Sequence, residues 1–131
     1  MKLVGFIRQY NDIDEALPLD FVMTGKVCGN ADQRAILEYL KKGHLLMAWM
    51  GYFIDIRTRE LIAPDAYYTD GLWVWPTYFP YYLEKYPDMY IDKEFLYYLR
   101  DKKFVFEVDD FFERNKKSFE EELSNKLNGK L

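Results

Sequence analysis

With 131 residues, a net charge of −4 and 19% aromatic side chains, the chain has material for one core and too many rings for a disordered polymer. No apolar run approaches the roughly 18–20 residues that cross a bilayer. The interspersed charge lacks the basic face of a nucleic-acid binder, and the lone Cys28 excludes an intrachain disulfide. With no leader-like start, these absences make residues 1–131 a single globular domain whose expected compartment is the cytoplasm.

Taken in chain order, Lys2 to Tyr10 reads as a first strand, and residues 11–29, with Pro18, Gly25 and Gly29, as an irregular leading segment. A helix is expected from Ala31 to Lys42, with Asn30 as N-cap, Gly43 as the residue after its end, and an apolar stripe of Ile36, Leu37 and Leu40. His44 to Ile56 is almost continuously apolar, so it reads as a long, mostly buried strand interrupted by Gly51. A polar turn at residues 57–60 returns the chain to the sheet at Leu61-Ile62-Ala63.

Residues 67–86, YYTDGLWVWPTYFPYYLEKY, carry nine aromatic side chains in twenty. Asp70-Gly71 signals a two-residue hairpin turn, because Gly supplies positive φ. That turn sets Thr69 opposite Leu72 and Tyr68 opposite Trp73. Tyr68, Trp73 and Trp75 then share one face, and Tyr67, Leu72 and Val74 the other, so the hairpin is expected to be covered on both. Thr77 is the expected N-cap of the next helix, because it places Pro80 third, where its missing N–H costs nothing. Phe79, Tyr82, Leu83 and Tyr86 form one face of that helix. A further helix follows Asp92, with Ile91 and Leu96 as a hydrophobic staple, and Asp110 and Glu113 suit a capping box before a terminal helix.

The chain offers little to catalysis. One His and one Cys cannot assemble a nitrogen–sulfur metal site, so no metal and no cofactor is expected. Asp12-Ile13-Asp14-Glu15 lacks the glycine of a calcium loop and reads as a solvated loop. Cys28 and His44 flank a helix, whose rise separates them, and read better as a small buried residue and a strand-entry residue. Thr24-Gly25-Lys26-Val27 has no hydroxyl after the lysine, so it fails as a phosphate loop. Asp55, Asp65 and Asp70 are the best-placed candidates for paired carboxylates, yet each also has a structural role at a turn or strand end.

Tyrosine is what remains. Tyr67, Tyr68, Tyr78, Tyr81, Tyr86, Tyr90, Tyr97 and Tyr98 exceed what one small core usually hides, and tyrosine is enriched at protein interfaces. With a surplus of five acids (ten acidic against five basic side chains) from Pro64 to Phe112, a Tyr- and Asp-rimmed cleft would suit a basic partner. The expected contact residues are Tyr78 and Tyr81 on the less apolar helix side, with Asp65, Glu84 and Asp88 around them.

The elements Glu38-Tyr39-Leu40-Lys41-Lys42-Gly43, Thr69-Asp70-Gly71-Leu72-Trp73-Val74-Trp75-Pro76 and Tyr81-Tyr82-Leu83 resemble a pattern in small uncharacterised bacterial proteins. That pattern is Y-L-x-x-G, then T-D-G-x-W-x-W-P, then a Tyr-Tyr helix, and it covers roughly residues 30–103. Some such proteins resemble the immunity proteins encoded beside polymorphic or contact-dependent toxins. The resemblance implies a protein that binds a cognate toxin domain and occludes its active region, and it carries no catalytic residue. The expected fold is therefore α+β: an antiparallel, meander-like sheet of about three to four strands packed by about four helices. Two other readings stand beside the inhibitor: a small enzyme or ligand-binding domain with an aromatic, carboxylate-lined pocket, and an accessory subunit of a larger assembly.

Overall fold

The computed structural model describes residues 1–24, 32–108 and 110–128. Four strands form one sheet: β1 (Lys2–Leu3), β2 (His44–Ile54), β3 (Leu61–Thr69) and β4 (Trp73–Pro76), in the order β1-β4-β3-β2. β2, β3 and β4 make the expected antiparallel meander, but β1 adds to β4 in parallel, so the sheet is mixed. Five helices accompany it among the described residues: α1 (Leu19–Thr24), α2 (Gln33–Lys41), α3 (Tyr78–Lys85), α4 (Lys93–Asp101) and α5 (Asp110–Asn128). The helix beyond the expected four is α1, in the segment read as irregular, where Leu19 and Val22 are buried. The expected N-cap Asn30, Cys28 and residues 25–27 lie outside the described residues.

The hairpin β3–β4 is the centre of the core. All four residues of β4 are buried, so both faces are covered, as their apolar character demands. Trp75 meets Tyr39 of α2, and Trp73 meets Phe95 and Tyr98 of α4. On the other face Tyr67 stacks on Phe6. Leu127 of α5 joins Trp49 and Tyr67 at one cavity, and Lys126 pairs with Glu15 at 2.5 Å, which fixes α5 beside the leading segment. α4 begins on Asp92, whose carboxylate accepts the N–H groups of Glu94 and Phe95, with Ile91 and Leu96 both buried beside it.

Three expectations change. The hairpin tip lies one residue further on: Thr69 pairs with Val74 and Tyr68 with Trp75, which leaves Gly71-Leu72 as the turn. Gly71 has φ +102° at the first of these two positions, a left-handed conformation that favours glycine. Pairing shifts by two residues, an even number, so the faces of Tyr67 and Tyr68 stay as read. Gly43 does not take a left-handed helix-end conformation; a Cβ there would come within 2.6 Å of the Trp75 ring, so its small size serves packing. β2 is not a buried strand. It lies at the sheet edge, with Leu45, Met50, Tyr52 and Ile54 left exposed by the described elements. Continuous apolarity marks a covered strand only when the chain has something left to cover it.

Replacing Gly71 by Val forces a β-branched residue into positive φ and brings it against Phe112, whose Cβ lies 3.3 Å from a built Cβ. A loss of roughly 1 kcal/mol or more is expected from the denaturation midpoint. An unchanged midpoint would remove the turn from this description.

Candidate functional site

The described residues hold three buried or half-buried aspartates within tyrosine clusters, and the three are not alike. Asp70 is buried at the hairpin tip. Its Oδ1 accepts the N–H groups of Leu72 and Trp73, and its Oδ2 accepts the hydroxyls of Tyr39 at 2.5 Å and Tyr98 at 2.8 Å. Lys102 Nζ donates to both phenols, at 3.1 and 3.3 Å, and balances the charge. Burial first, and then the Asp70 carboxylate, push both phenols well above their ordinary pKa. Asp55 is likewise buried and filled. It accepts from Tyr81 at 2.6 Å, Lys85 at 3.1 Å and the backbone of Arg57 and Thr58. Burial works to raise its pKa, but those four donors outweigh it and hold the carboxyl at about 2.

Asp65 differs. Its Oδ1 is buried and has no hydrogen-bond partner. Burial pushes its pKa up, and the Tyr67 hydroxyl only partly opposes that. A bulge lies opposite it. Between the pairs Ala48–Ala66 and Tyr52–Pro64, β2 spends Trp49, Met50 and Gly51 against Asp65 alone. Gly51 takes φ +109° with open space where a side chain would be, so the requirement there is conformational. The bulge leaves the Met50 side chain in solvent and sets Trp49 over Tyr67, edge to face at 84° and 5.5 Å. Phe53 meets the same ring at 87°.

These rings and Asp65 line a cavity of about 400 Å³, together with Arg8, Asn11 and Asp12 of the leading segment. Its polar floor is ordered. Asn11 Nδ2 donates to the Tyr67 hydroxyl at 2.8 Å, Tyr78 donates to Asn11 Oδ1 at 2.7 Å, and the Ile7 N–H donates to Tyr78 at 2.9 Å. The volume falls within the usual range for small-molecule sites. A larger space of about 570 Å³ lies at the hairpin tip beside Asp70, Tyr98, Lys102 and Glu107, but the Asp70 carboxylate there is already filled. A third, by Gly5 and Phe79, holds only about 40 Å³. Trp73 Nε1 is also buried without an acceptor, yet Trp73 lines none of these spaces.

Of the five residues expected to meet a partner, only Asp65 lines this cavity. Tyr78 is fully buried; its hydroxyl has two partners in the floor, so it is a core residue and not a surface contact. Tyr81 is half-buried and belongs to the Asp55 clasp. Glu84 and Asp88 are exposed at and just beyond the end of α3, apart from the cavity lining. Arg8, Asn11, Trp49 and Phe53 went unnoticed as site residues, although Gly51 inside an apolar strand is the ordinary mark of a bulge. Asp55 and Asp70, weighed as paired catalytic acids, have both oxygens taken by backbone and side-chain donors. Among the described residues no group of three or more His, Cys, Asp or Glu could hold a metal, and no helix is long and apolar enough to cross a membrane.

The contrast between filled and unfilled aspartates is testable by stability. A folded pKa of about 2, below the ordinary 3.8, makes Asp55 stabilising above about pH 4 and lets that stability fade as pH falls through about 2. Asp55→Asn is therefore expected to cost about 2 kcal/mol at pH 7, with the difference from wild type shrinking in acid. Asp65, with its pKa raised, loses nothing comparable on conversion to Asn. Equal losses at the two positions, read from urea denaturation, would contradict the distinction.

Compared with known proteins, the chain matches no family model, no curated protein and no solved structure.

Proposed function

We propose that the protein is a binding domain, acting in the cytoplasm without catalysis or cofactor, that takes a positively charged group into the aromatic, carboxylate-lined cavity around Asp65. One observation carries the reading: Asp65, a half-buried carboxylate with one oxygen lacking a donor, belongs to the lining of a cavity walled by Trp49, Phe53 and Tyr67. Leaving such an acceptor unmade costs on the order of 1–3 kcal/mol, which a charged donor from a ligand would recover. Ring faces add a cation–π contribution of roughly 0.5–2 kcal/mol in a partly desolvated site.

Trp73 and Trp75 are buried in the core whereas Trp49 lines the cavity, so one indole N–H signal of three reports on the site. Titration with phenethylamine is expected to move the Trp49 signal saturably and leave the other two in place. Asp65→Asn weakens that binding by about tenfold or more. No saturable movement, or an affinity indifferent to Asp65→Asn, would overturn the proposal.

The immunity-type reading stands as a second proposal, supported by the exposed Met50, Tyr52, Ile54 and Leu61 on the β2–β3 arm and by the exposed acids Glu84 and Asp88. A cognate toxin domain would be the partner, consistent with the T-D-G-x-W-x-W-P resemblance. Asp88→Asn is then expected to slow association with the product of the adjacent gene, and to lower its salt dependence, with little change in dissociation. Absence of binding to that product would remove this reading and leave the cavity proposal untouched.

A further inference from the structure

The lining of the cavity around Asp65 also includes a cation without an ion-pair partner among the described residues. Arg8 lines it too, and its guanidinium makes one described bond, from Nη2 to the Ala16 carbonyl at 3.1 Å. No ion pair to Arg8 occurs among the described residues, and Arg8 and Asp65 do not pair with each other. A guanidinium carries five N–H donors, so most of its capacity faces outward from that single bond. Asp12 also lines the cavity, and Arg8 and Asp12 are both exposed, so water and salt reach both. The lining therefore combines an exposed guanidinium with spare donors and a half-buried carboxylate with a donor-free oxygen. It also holds Trp49, Phe53, Tyr67, Ile13 and Leu127, a surface that suits a ring or branched aliphatic body.

Resting on the cation-binding reading above, we propose that the ligand is an amino-acid-like zwitterion with an apolar body. Its ammonium hydrogen-bonds the Asp65 carboxylate, whose side chain turns toward the cavity to meet it, its carboxylate takes the Arg8 fork, and its side chain lies against the three rings. A quaternary ammonium has no N–H and leaves the Asp65 oxygen unmet, so the site discriminates against it. Arg8 favours the carboxylate-bearing ligand over the plain amine, because a guanidinium–carboxylate pair is bidentate and charge-assisted.

Three probes of one body separate the contributions: L-phenylalanine carries both charges, phenethylamine only the cation, and 3-phenylpropionate only the anion. The Trp49 indole signal is followed in wild type, Arg8→Gln, Arg8→Lys and Asp65→Asn, each checked for an intact fold by its thermal midpoint. Wild type is expected to bind L-phenylalanine about tenfold or more tightly than phenethylamine, and phenylpropionate least of all. Arg8→Gln removes the preference for L-phenylalanine while leaving phenethylamine binding in place, and Arg8→Lys restores part of it. A comparison with glycyl-phenylalanine tells a free amino acid from a short peptide, since the two charges then stand one residue further apart. If phenethylamine binds and L-phenylalanine binds no better, the zwitterion proposal is overturned and the cation pocket stands. If Arg8→Gln weakens both equally, Arg8 acts through structure and the proposal is again overturned. If none of the three moves Trp49, both readings fall together.

Discussion

The architecture depends on a buried carboxylate that must be filled. Asp70 sits in the core at the hairpin tip, and an unpaired charge there would be worth several kcal/mol of destabilisation. Four donors meet it: two from its own loop, one from Tyr39 on α2 and one from Tyr98 on α4. Those two phenols draw α2 and α4 onto the same face of the hairpin that Trp73 and Trp75 fill. Arg100 of α4 bonds Asp32 beside α2 at 3.0 Å and tightens the same joint from outside. Asp55 repeats the device at the far end of the sheet, where Tyr81 and Lys85 of α3 clasp the end of β2.

The same constraint explains the abundance of tyrosine. A surplus over ordinary core capacity suggests exposure, but capacity depends on whether hydroxyls find partners. Here they do. Tyr39 and Tyr98 meet Asp70, Tyr81 meets Asp55, Tyr10 meets Tyr82 at 2.6 Å, and Tyr78 meets Ile7 and Asn11. Tyr39, Tyr67, Tyr78 and Tyr82 can therefore be fully buried in a chain of this size. Against this pattern of satisfied groups, two atoms stand out among the described residues, Trp73 Nε1 and Asp65 Oδ1, and only Asp65 lines a cavity. Departures from local consistency of this kind concentrate at functional sites, and the bulge at residues 49–51 lies opposite Asp65.

Much of the fold was legible because it rests on local rules. Asp92 as a cap, the Ile91–Leu96 staple, Thr77 before a helix that tolerates Pro80, and the doubly covered hairpin follow from spacing and residue type. Thr77 itself spends its hydroxyl on the Ala66 carbonyl at 2.6 Å, a partner that no local rule contains. The parallel addition of Lys2–Leu3 to β4 joins residues some seventy positions apart, and nothing in either segment announces it. The site was half legible. Asp65 stood out as an acid beside an aromatic run, whereas Arg8 and Trp49 reach it only through the topology. The reading of Tyr78 as a contact failed for one reason: helical periodicity on three elements of an aromatic core cannot tell which ring has a partner for its hydroxyl.

Asp65 is half-buried with one carboxylate oxygen lacking a donor, whereas Asp55 and Asp70 are filled. The direct measurement is the titration of the aspartate side-chain carbonyl carbons by NMR in the free protein. Asp65 is expected to titrate above the ordinary carboxylate value because burial favours its neutral form, and Asp55 at about 2. Asp65 titrating at or below the ordinary value would mean that its oxygen already has a donor, and the ligand site argued from it would not exist.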